Sequence, residues 1–296
     1  MRRRAYILVH TAARGYDHGT KRLRRVGDTP PPHRVAFDGG DMMPPLTCIL
    51  AIATAVAVLL PHDARLAPAV PFGVGERFTY DVKLGPFKAG RGSMEVTSVD
   101  TIRGHDAWRA VLRVKGGILG YKADNTMETW MDTATMASLR FTQDFEQTGS
   151  DRKKQYEIFP DRAMYRERIK PEEPSVQDPL DDASFIYFIR TVPLEIGRTY
   201  SFDRYFRPNK NPVRIKVLRR ETVKVPAGTF QTIVVQPIIK SKGIFSENSK
   251  AEIWFSEDAN RIMVKLKADL PVGSLNLYLT SARPPTVSLP SVTAPP

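Results

Sequence analysis

Hydrophobic and polar residues alternate one for one through most of residues 71–282. Near the start of this region, Phe78, Tyr80 and Val82 alternate with Thr79 and Asp81. Because successive side chains of a β-strand point to opposite faces, this period of two predicts half-buried strands. Turn signals rich in Gly, Pro, Asn and Asp separate the alternating runs. Short strands at such regular spacing predict an all-β fold: an antiparallel, strongly curved sheet, half-barrel or barrel-like.

The remaining predicted strands follow the same alternation. They cover residues 94–99, 108–115, 126–132, 138–147, 152–159, 162–169, 198–206, 213–222, 229–239, 249–256, 261–269 and 273–281.

One segment breaks the alternation. Asp181 and Asp182 precede a run of large apolar residues, which is typical of an acidic N-terminal cap followed by a short helix. The pattern predicts a helix of about three turns over residues 183–191. Phe185 and Phe188 lie on its apolar face. We expect this helix to fill the concave side or the mouth of the sheet.

The segment 46–60 is apolar and carries no charge over fifteen residues. A membrane span needs about 20 residues, so this length fits the apolar region of a secretory signal better. Met42 and Met43 directly precede it. We therefore interpret 42–69 as a signal peptide, cleaved near Ala67 or Ala69, and 1–41 as a mis-called or disordered extension. The alternatives are an uncleaved N-terminal anchor and a buried core helix.

Two further segments complete the predicted domain organisation. Residues 70–282 form a single antiparallel β-domain. The tail 283–296 contains five prolines and no aromatic residue, which predicts a disordered Pro-rich segment.

The composition is that of an ordinary globular protein, with 42% hydrophobic and 26% charged residues. The net charge is +12, and residues 1–41 supply +5 of it. The remaining positive excess is moderate for a domain of this size. Together with the predicted export, it argues against nucleic acid as a partner.

Cysteine and histidine are too scarce for several common chemistries. Cys48 is the only cysteine, and His105 is the only histidine beyond the N-terminal region. Thiol catalysis and metal sites built from several histidines are therefore excluded for the β-domain, and no cofactor is predicted. His105 follows a Gly-containing turn, which favours a structural role. Chemistry based on carboxylates alone stays open, because Asp and Glu are plentiful.

Aromatic and basic residues on the predicted elements are the remaining candidates for a site. An apolar cavity in the curved sheet would be lined by Tyr80, Trp108, Trp130, Phe141, Phe185 and Phe188. The alternative is that these side chains are ordinary core. One predicted strand also forms a basic surface that could face anionic lipid headgroups or polysaccharide, or simply be solvated, through Arg214, Lys216, Arg219 and Arg220.

Several short motifs resemble a known family. They are Gly75–Val82, Val223–Phe230, Glu252–Ser256 and Gly273–Leu275. Together they look like the bacterial family named domain of unknown function 3108, over about residues 71–282. The resemblance implies an exported protein of the periplasm or cell envelope and no established activity. The family is similar in pattern to envelope proteins with a curved sheet and an apolar cavity, such as lipoprotein carriers.

These observations favour a non-enzymatic binding or carrier module for an apolar or amphipathic ligand, such as a lipid. An alternative is a structural or assembly factor that binds envelope proteins, or an anionic envelope surface, through strand edges and the basic surface. A carboxylate-dependent hydrolase acting on glycans is a third, less supported hypothesis.

Overall fold

The computed structural model describes residues 70–118, 120–240, 244–270 and 273–285. The predicted extension 1–41, the predicted signal peptide 42–69 and most of the predicted tail lie outside these residues. The last strand runs to Arg283, one residue into the predicted tail.

Within the described residues, fourteen strands and one α-helix make up the regular structure, with two short 3₁₀ turns at Pro160–Arg162 and Pro208–Lys210. The strands are β1 (Arg77–Leu84), β2 (Phe87–Ile102), β3 (His105–Ile118), β4 (Tyr121–Asp132), β5 (Ser138–Gln147), β6 (Ser150–Phe159), β7 (Met164–Glu167), β8 (Glu173–Pro174), β9 (Thr199–Phe202), β10 (Val213–Val225), β11 (Gly228–Ile238), β12 (Glu252–Ser256), β13 (Met263–Asp269) and β14 (Ser274–Arg283). The helix is α1 (Ser184–Ile189).

All fourteen strands belong to one antiparallel sheet in the order β8-β7-β6-β5-β4-β3-β2-β1-β14-β13-β12-β11-β10-β9. The sheet is curled but not closed, so the prediction of a curved, half-barrel sheet is confirmed. The chain segments that follow the two edge strands, β8 and β9, meet each other. Leu180 and Tyr205 form a single parallel bridge, and the Ser175 hydroxyl donates to the carbonyl of Phe206 at 2.8 Å. Irregular backbone therefore spans the gap between the sheet edges.

The helix is shorter than predicted. It has six residues rather than about three turns. Its start agrees with the prediction, because the Asp181 carboxylate accepts the N–H groups of Ala183 and Ser184 at 2.8 and 2.9 Å. After Ile189 the backbone changes to hydrogen bonds that span three residues, from the N–H groups of Arg190, Thr191 and Val192, and Pro193 then cannot donate a further one.

We call the face of the sheet that α1 covers the inner face, and the opposite face the outer face. The inner face and the five residues Phe185–Ile189 of α1 belong to one large apolar core, and Ser184 is buried beside it. A second, small cluster of Ile102, Ala107, Trp130 and Leu139 lies apart from it on the outer face. The protein therefore buries most of its apolar surface inside the curl.

A buried ion pair connects α1 to the start of the sheet. The Arg190 guanidinium, directly after α1, donates to both carboxylate oxygens of Glu76 at 2.7 and 2.8 Å. It also donates to the carbonyls of Pro71 and Asn260, each at 2.8 Å. Both charged side chains are almost fully buried, at 0% and 1% exposure. The guanidinium additionally lies near the ring of Phe72, 5.3 Å from its centroid.

We expect Arg190→Met to lower the free energy of unfolding by about 3–5 kcal/mol, because it leaves Glu76 buried without its counter-charge. The double variant with Glu76→Leu should recover much of this loss, since no unpaired charge stays buried. Chemical denaturation measures both values. The control is Arg198→Met, which removes an exposed pair with Glu195 and should cost less than about 1 kcal/mol. Equal losses for the two arginines would contradict the role given to Arg190.

Two glycines let β2 and β3 approach closely. Gly90 and Gly116 are paired across these strands. A Cβ atom on Gly116 would lie 1.9 Å from the carbonyl oxygen of Ala89, and one on Gly90 would lie 2.2 Å from that of Lys115. No side chain fits such distances, so both positions require glycine.

We expect Gly116→Ala to destabilise the fold by about 1–3 kcal/mol, because the added methyl group forces the two strands apart. Gly92→Ala is the matched control on β2, since its added Cβ would meet its nearest neighbours at 3.5 Å, an ordinary contact. The control should change the free energy of unfolding by less than about 0.5 kcal/mol. Thermal or urea unfolding of the two variants side by side tests this difference.

Candidate functional site

The pairing of β3 to β7 arranges inner-face side chains in transverse rows. The row under α1 contains Ala110, Thr129, Phe141, Tyr156 and Glu167. The next row contains Leu112, Met127, Gln143 and Lys154, and the one after it Val114, Asn125, Phe145 and Arg152. The rows therefore run from the packed core toward the hairpin ends of the sheet.

The inner-face aromatic residues predicted for a cavity are packed against one another and the core. Tyr80, Phe141, Phe185 and Phe188 are all buried in the main core. Phe141 stacks on Tyr156 with ring centroids 6.1 Å apart, and the Tyr80 hydroxyl donates to the carbonyl of Met263 at 3.0 Å. In the described conformation these four residues are core, and they do not line an open cavity.

The two predicted tryptophans lie on opposite faces. Trp108 is partly buried on the inner face, where its ring meets Phe72 edge-on at 5.3 Å. Trp130 points to the outer face, in the small second cluster, and its indole N–H donates to Asp100 at 2.8 Å. Strand alternation explains this, because Thr129 and Met131 on either side of Trp130 point inward. Trp130 is therefore not brought together with the other five candidates.

The predicted basic surface on β10 is largely neutralised by acidic partners. Arg214 pairs with Glu247, and Arg220 pairs with Glu257 at 2.5 Å. Arg219 binds both Glu221 and Glu252, each at 2.9 Å. Within the part of the chain that the structure describes, Lys216 is exposed and makes no ion pair. The local charge of this surface is much lower than its sequence suggests.

Beyond α1, the inner face is only partly covered and divides into two zones. On β3 and β4 it carries the apolar side chains of Leu112, Val114 and Met127. On β6 it carries the cations Arg152 and Lys154, both half-buried. Phe145 of β5 lies between the two zones and is also half-buried. We call this surface, from Leu112 across to Lys154, the open zone.

Two cations at the border of the open zone make no ion pair within the described residues. The Lys154 ammonium has no hydrogen-bond partner there. The Arg207 guanidinium donates to the Tyr156 hydroxyl and lies over the Tyr156 ring, 4.9 Å from its centroid. The Nε atom of Arg207 is buried without an acceptor among these residues. Burial lowers the pKa of Lys154, opposed by Glu167, and the positive charge of Arg207 lowers it further.

One carboxylate near these cations, Asp182, is held by neutral donors. Asp182 accepts from the Tyr205 hydroxyl at 3.0 Å and from the Gln143 amide at 3.2 Å. Burial raises the pKa of Asp182, and the Tyr205 hydrogen bond opposes this shift. Asp182 is not within ion-pair distance of Lys154 or Arg207, and Glu167, whose charge also acts on Lys154, forms its ion pair with Lys170 at 3.0 Å.

A depression of about 780 Å³ lies at the hairpin ends of β3 to β6. Its lining includes Gly116, Ile118, Tyr121 and Gln147. A chain of hydrogen bonds leads into it: the Tyr121 hydroxyl donates to Gln147 at 2.8 Å, and the Gln147 amide donates to Asn125 at 3.1 Å. The lining also includes Lys115, Asp124 and Glu146, which share the strand phase of the outer face.

Buried hydroxyl groups surround Asp181, but they have no access to a substrate. The Thr129 hydroxyl donates to Asp181 at 2.6 Å, and the Ser138 and Ser184 hydroxyls lie 2.9 Å apart. All four residues are buried. The cluster therefore positions the start of α1 against β4 and β5. Among the described residues there is also no group of three or more His, Cys, Asp or Glu side chains suited to a metal ion.

His105 joins two carboxylates at the far end of the sheet. Its Nδ1 lies 2.9 Å from Asp132, and its Nε2 lies 3.3 Å from Asp161. This contact ties the start of β3 to the end of β4 and to the turn after β6, so the histidine has structural partners on both ring nitrogens.

The model of one protein family matches residues 79–280, more than half of the chain. Its description is "Protein of unknown function (DUF3108)". The chain belongs to this family. The resemblance found from the motifs is thereby confirmed. No curated protein matches the sequence.

Some solved structures are partly similar to this DUF3108 protein and share little sequence with it. One is a β-barrel-like protein of domain of unknown function DUF1849 from Brucella abortus, with 11% identity and a TM-score of 0.48, covering 73% of this chain and 99% of that one. Another, from Bacteroides fragilis, is described as a "putative exported protein" with YmcC-like fold, with 13% identity and a TM-score of 0.32, covering 72% and 98%. A third is described as a "putative lipoprotein" from Parabacteroides distasonis, with 11% identity and a TM-score of 0.33, covering 72% and 98%.

The described residues of this family member contain no helix that is both long and apolar enough to cross a bilayer.

The sequence prediction missed the open zone, although a signal for it was present. On β6, Arg152 and Lys154 share the alternation phase of the buried residues Tyr156 and Ile158. Two cations on the apolar phase of a strand are unusual for a core-facing position. This pattern could have marked the place where the inner face stops being core.

We expect the pH dependence of stability to report on Asp181. Burial raises the pKa of its carboxyl to about 6, opposed by the Thr129 hydrogen bond. Because the ordinary value is about 3.9, folding favours the protonated form, and its contribution to stability is full below about pH 4 and lost as pH rises to about 6. Asp181→Asn does not titrate, so the difference between the two proteins should change by roughly 3 kcal/mol across this window.

Urea unfolding at several pH values between 4 and 7 measures this difference. Asp181→Ala should be less stable than Asp181→Asn at every pH, because it leaves two N–H groups of the helix start without an acceptor. A constant difference between wild type and Asp181→Asn across the window would contradict the assignment.

Proposed function

We propose that this protein is a non-enzymatic binding or carrier module whose open zone binds an anionic, amphipathic molecule such as a lipid. The proposal refines the ligand expected from the sequence, because it adds a negative charge. It also moves the site from the packed aromatic residues of the core to the uncovered part of the inner face.

The observation that carries the proposal is the pair of cations Lys154 and Arg207, which lack an ion-pair partner within the described residues. Both are partly buried. Holding an unpaired cation away from water costs free energy, and an anionic group from a ligand would offset that cost. A phosphate or carboxylate could bind the guanidinium and the ammonium together.

The apolar zone beside these cations supports an amphipathic rather than a purely polar ligand. Met127 and Val114 are half-buried and contact the main core from its edge. An acyl chain lying along them toward the depression near Tyr121 would remove apolar surface from water. Each buried CH₂ group contributes about 0.8 kcal/mol, so a chain of several carbons would contribute more than the charge contacts.

Export to the periplasm or cell envelope belongs to the same proposal. Its support is the uncharged apolar segment 46–60, whose length suits a secretory signal. A lipid or other amphiphile is a ligand that the cell envelope supplies in quantity.

Binding of lysophosphatidylglycerol to the purified full chain tests the function. We expect Lys154→Gln to weaken binding at least about tenfold, because one charge-assisted contact contributes about 1.5–3 kcal/mol. Lys153→Gln is the matched control: it is the neighbouring residue, with the same charge change, on the outer face, where Lys153 pairs with Asp144 at 2.9 Å. Isothermal titration calorimetry or native mass spectrometry measures both.

A second comparison tests the nature of the ligand. Dodecyl maltoside has an apolar chain and a neutral head, so it should bind more weakly than lysophosphatidylglycerol and should be insensitive to Lys154→Gln. All variants keep residues 46–60, so any binding by that segment is common to them. Equal effects of Lys153→Gln and Lys154→Gln, or equal binding of the neutral and anionic amphiphiles, would refute the proposed site.

A further inference from the structure

Three hairpins end side by side at one end of the sheet. They are the turns of β13–β14, β1–β2 and β3–β4. Leu84 of β1 is paired with Leu275 of β14, and the Gly85 N–H donates to the Ser274 carbonyl at 2.8 Å. On the other side, Gly90 of β2 is paired with Gly116 of β3. We call these adjacent strand ends the hairpin edge.

Apolar side chains are exposed along the hairpin edge. Phe87, the first residue of β2, is 62% exposed. Ile118 at the end of β3, and Leu84, Leu270 and Leu275 on the neighbouring hairpins, are partly exposed. An aromatic side chain at a hairpin end is too far from the core to be buried by the protein itself. Exposed apolar side chains in a group mark an interaction surface.

Lysines flank these apolar side chains. Lys88 follows Phe87 directly and contacts Asp81 at 3.0 Å, while Lys115 contacts Asp124 at 3.0 Å. Lys122, on the other side of the β3–β4 turn, makes no ion pair in the described part of the chain. Lys83 lies over the ring of Tyr278, 5.2 Å from its centroid. The lysines therefore lie one to a few residues along the strands from the apolar side chains at the hairpin ends.

The β5–β6 hairpin marks the limit of this surface. It ends at the same side, but it carries Glu146 and Asp151 around a Thr148–Gly149 turn. The acidic side chains would repel an anionic partner. The turn also has no apolar residue that could contact an apolar partner. The surface is thus confined to the three neighbouring hairpins.

We propose that the hairpin edge docks on an anionic lipid bilayer. Phe87 and Ile118 enter the boundary between headgroups and acyl chains, and Lys83 and Lys122, which make no ion pair among the described residues, contact the lipid phosphates. The apolar side chains lie at the ends of the hairpins and the lysines lie behind them. An anionic bilayer has the matching order, with acyl chains inside and phosphates at the surface. The lysine stems are long enough to place their charges at the headgroups while the tips are inserted.

The chemistry of the edge favours a bilayer over a protein partner. A protein interface of usual size needs a broad complementary surface, whereas here the apolar side chains form a narrow row on strand ends. A bilayer accommodates such a row without matching shape. The depression lined by Ile118 and Tyr121 borders this edge, so docking brings its opening close to the lipid.

Docking goes beyond the proposed ligand binding and does not depend on it. The edge uses Phe87, Ile118 and the hairpin lysines, whereas the ligand site uses Lys154 and Arg207. The two proposals can therefore fail separately.

A tryptophan reporter at the edge tests docking directly. Residues 46–60 of the full chain are apolar, so vesicle binding alone would not locate the contact; quenching at a single residue does. Phe87→Trp is mixed with vesicles of equal phosphatidylcholine and phosphatidylglycerol that contain brominated phosphatidylcholine. We expect a blue shift and at least about twofold quenching of the added emission, because the indole enters the acyl boundary.

Val99→Trp is the matched control. Val99 is 47% exposed on the same strand, β2, about 40 Å from Phe87 by the strand rise of about 3.3 Å per residue. Its added emission should not be quenched. Emission of the unmodified chain is subtracted in both cases.

Charge and ligand variants complete the test. Lys83→Gln combined with Lys122→Gln, or vesicles of phosphatidylcholine alone, should reduce quenching of the Phe87→Trp reporter by at least about twofold. Lys154→Gln should leave it unchanged, which separates docking from ligand binding. The proposal is overturned if the Phe87→Trp emission is not quenched on anionic vesicles, if Val99→Trp is quenched equally, or if the Phe87→Trp emission is already blue-shifted without lipid.

Discussion

The buried ion pair between Arg190 and Glu76 is the contact through which the separate parts of the inner core are joined. It links the end of α1, the start of β1, the segment before it at Pro71 and the turn at Asn260. An open sheet has no ring of strand pairs to fix its curvature. The buried ion pair constrains the curvature, because displacing either partner would leave the other charge buried without a counter-charge.

The shortness of α1 explains why the inner face has two different parts. Six residues cover only the rows near Phe141 and Tyr156, and there the face is packed as tightly as a core. Strands β3 to β6 extend well past the helix. The inner-face rows that lie farthest from α1 are therefore only partly covered. The same sheet therefore stabilises the fold at one end and presents an amphipathic surface at the other.

The sequence predicted the strands well, because a period of two is a local property that needs no knowledge of partners. β5 was predicted with the bounds that it has, and the capping role of Asp181 was also predicted correctly. The predicted length of α1 was wrong, because the backbone after Ile189 changes to three-residue turns. The predicted aromatic site combined residues by type, and Trp130 shows that type alone ignores the face to which a side chain points.

The sequence by itself determined the class of fold, the family and the alternation along most strands. Only the tertiary structure decided which residues of the inner face are buried. Their burial depends on how far α1 and the segments after β8 and β9 extend over the sheet. It also decided which charges are paired: Arg214, Arg219 and Arg220 find carboxylates on distant segments, while Lys154 and Arg207 find none among the described residues. Ion pairing and partial burial are properties of three-dimensional neighbours, and alternation along one strand contains no information about them.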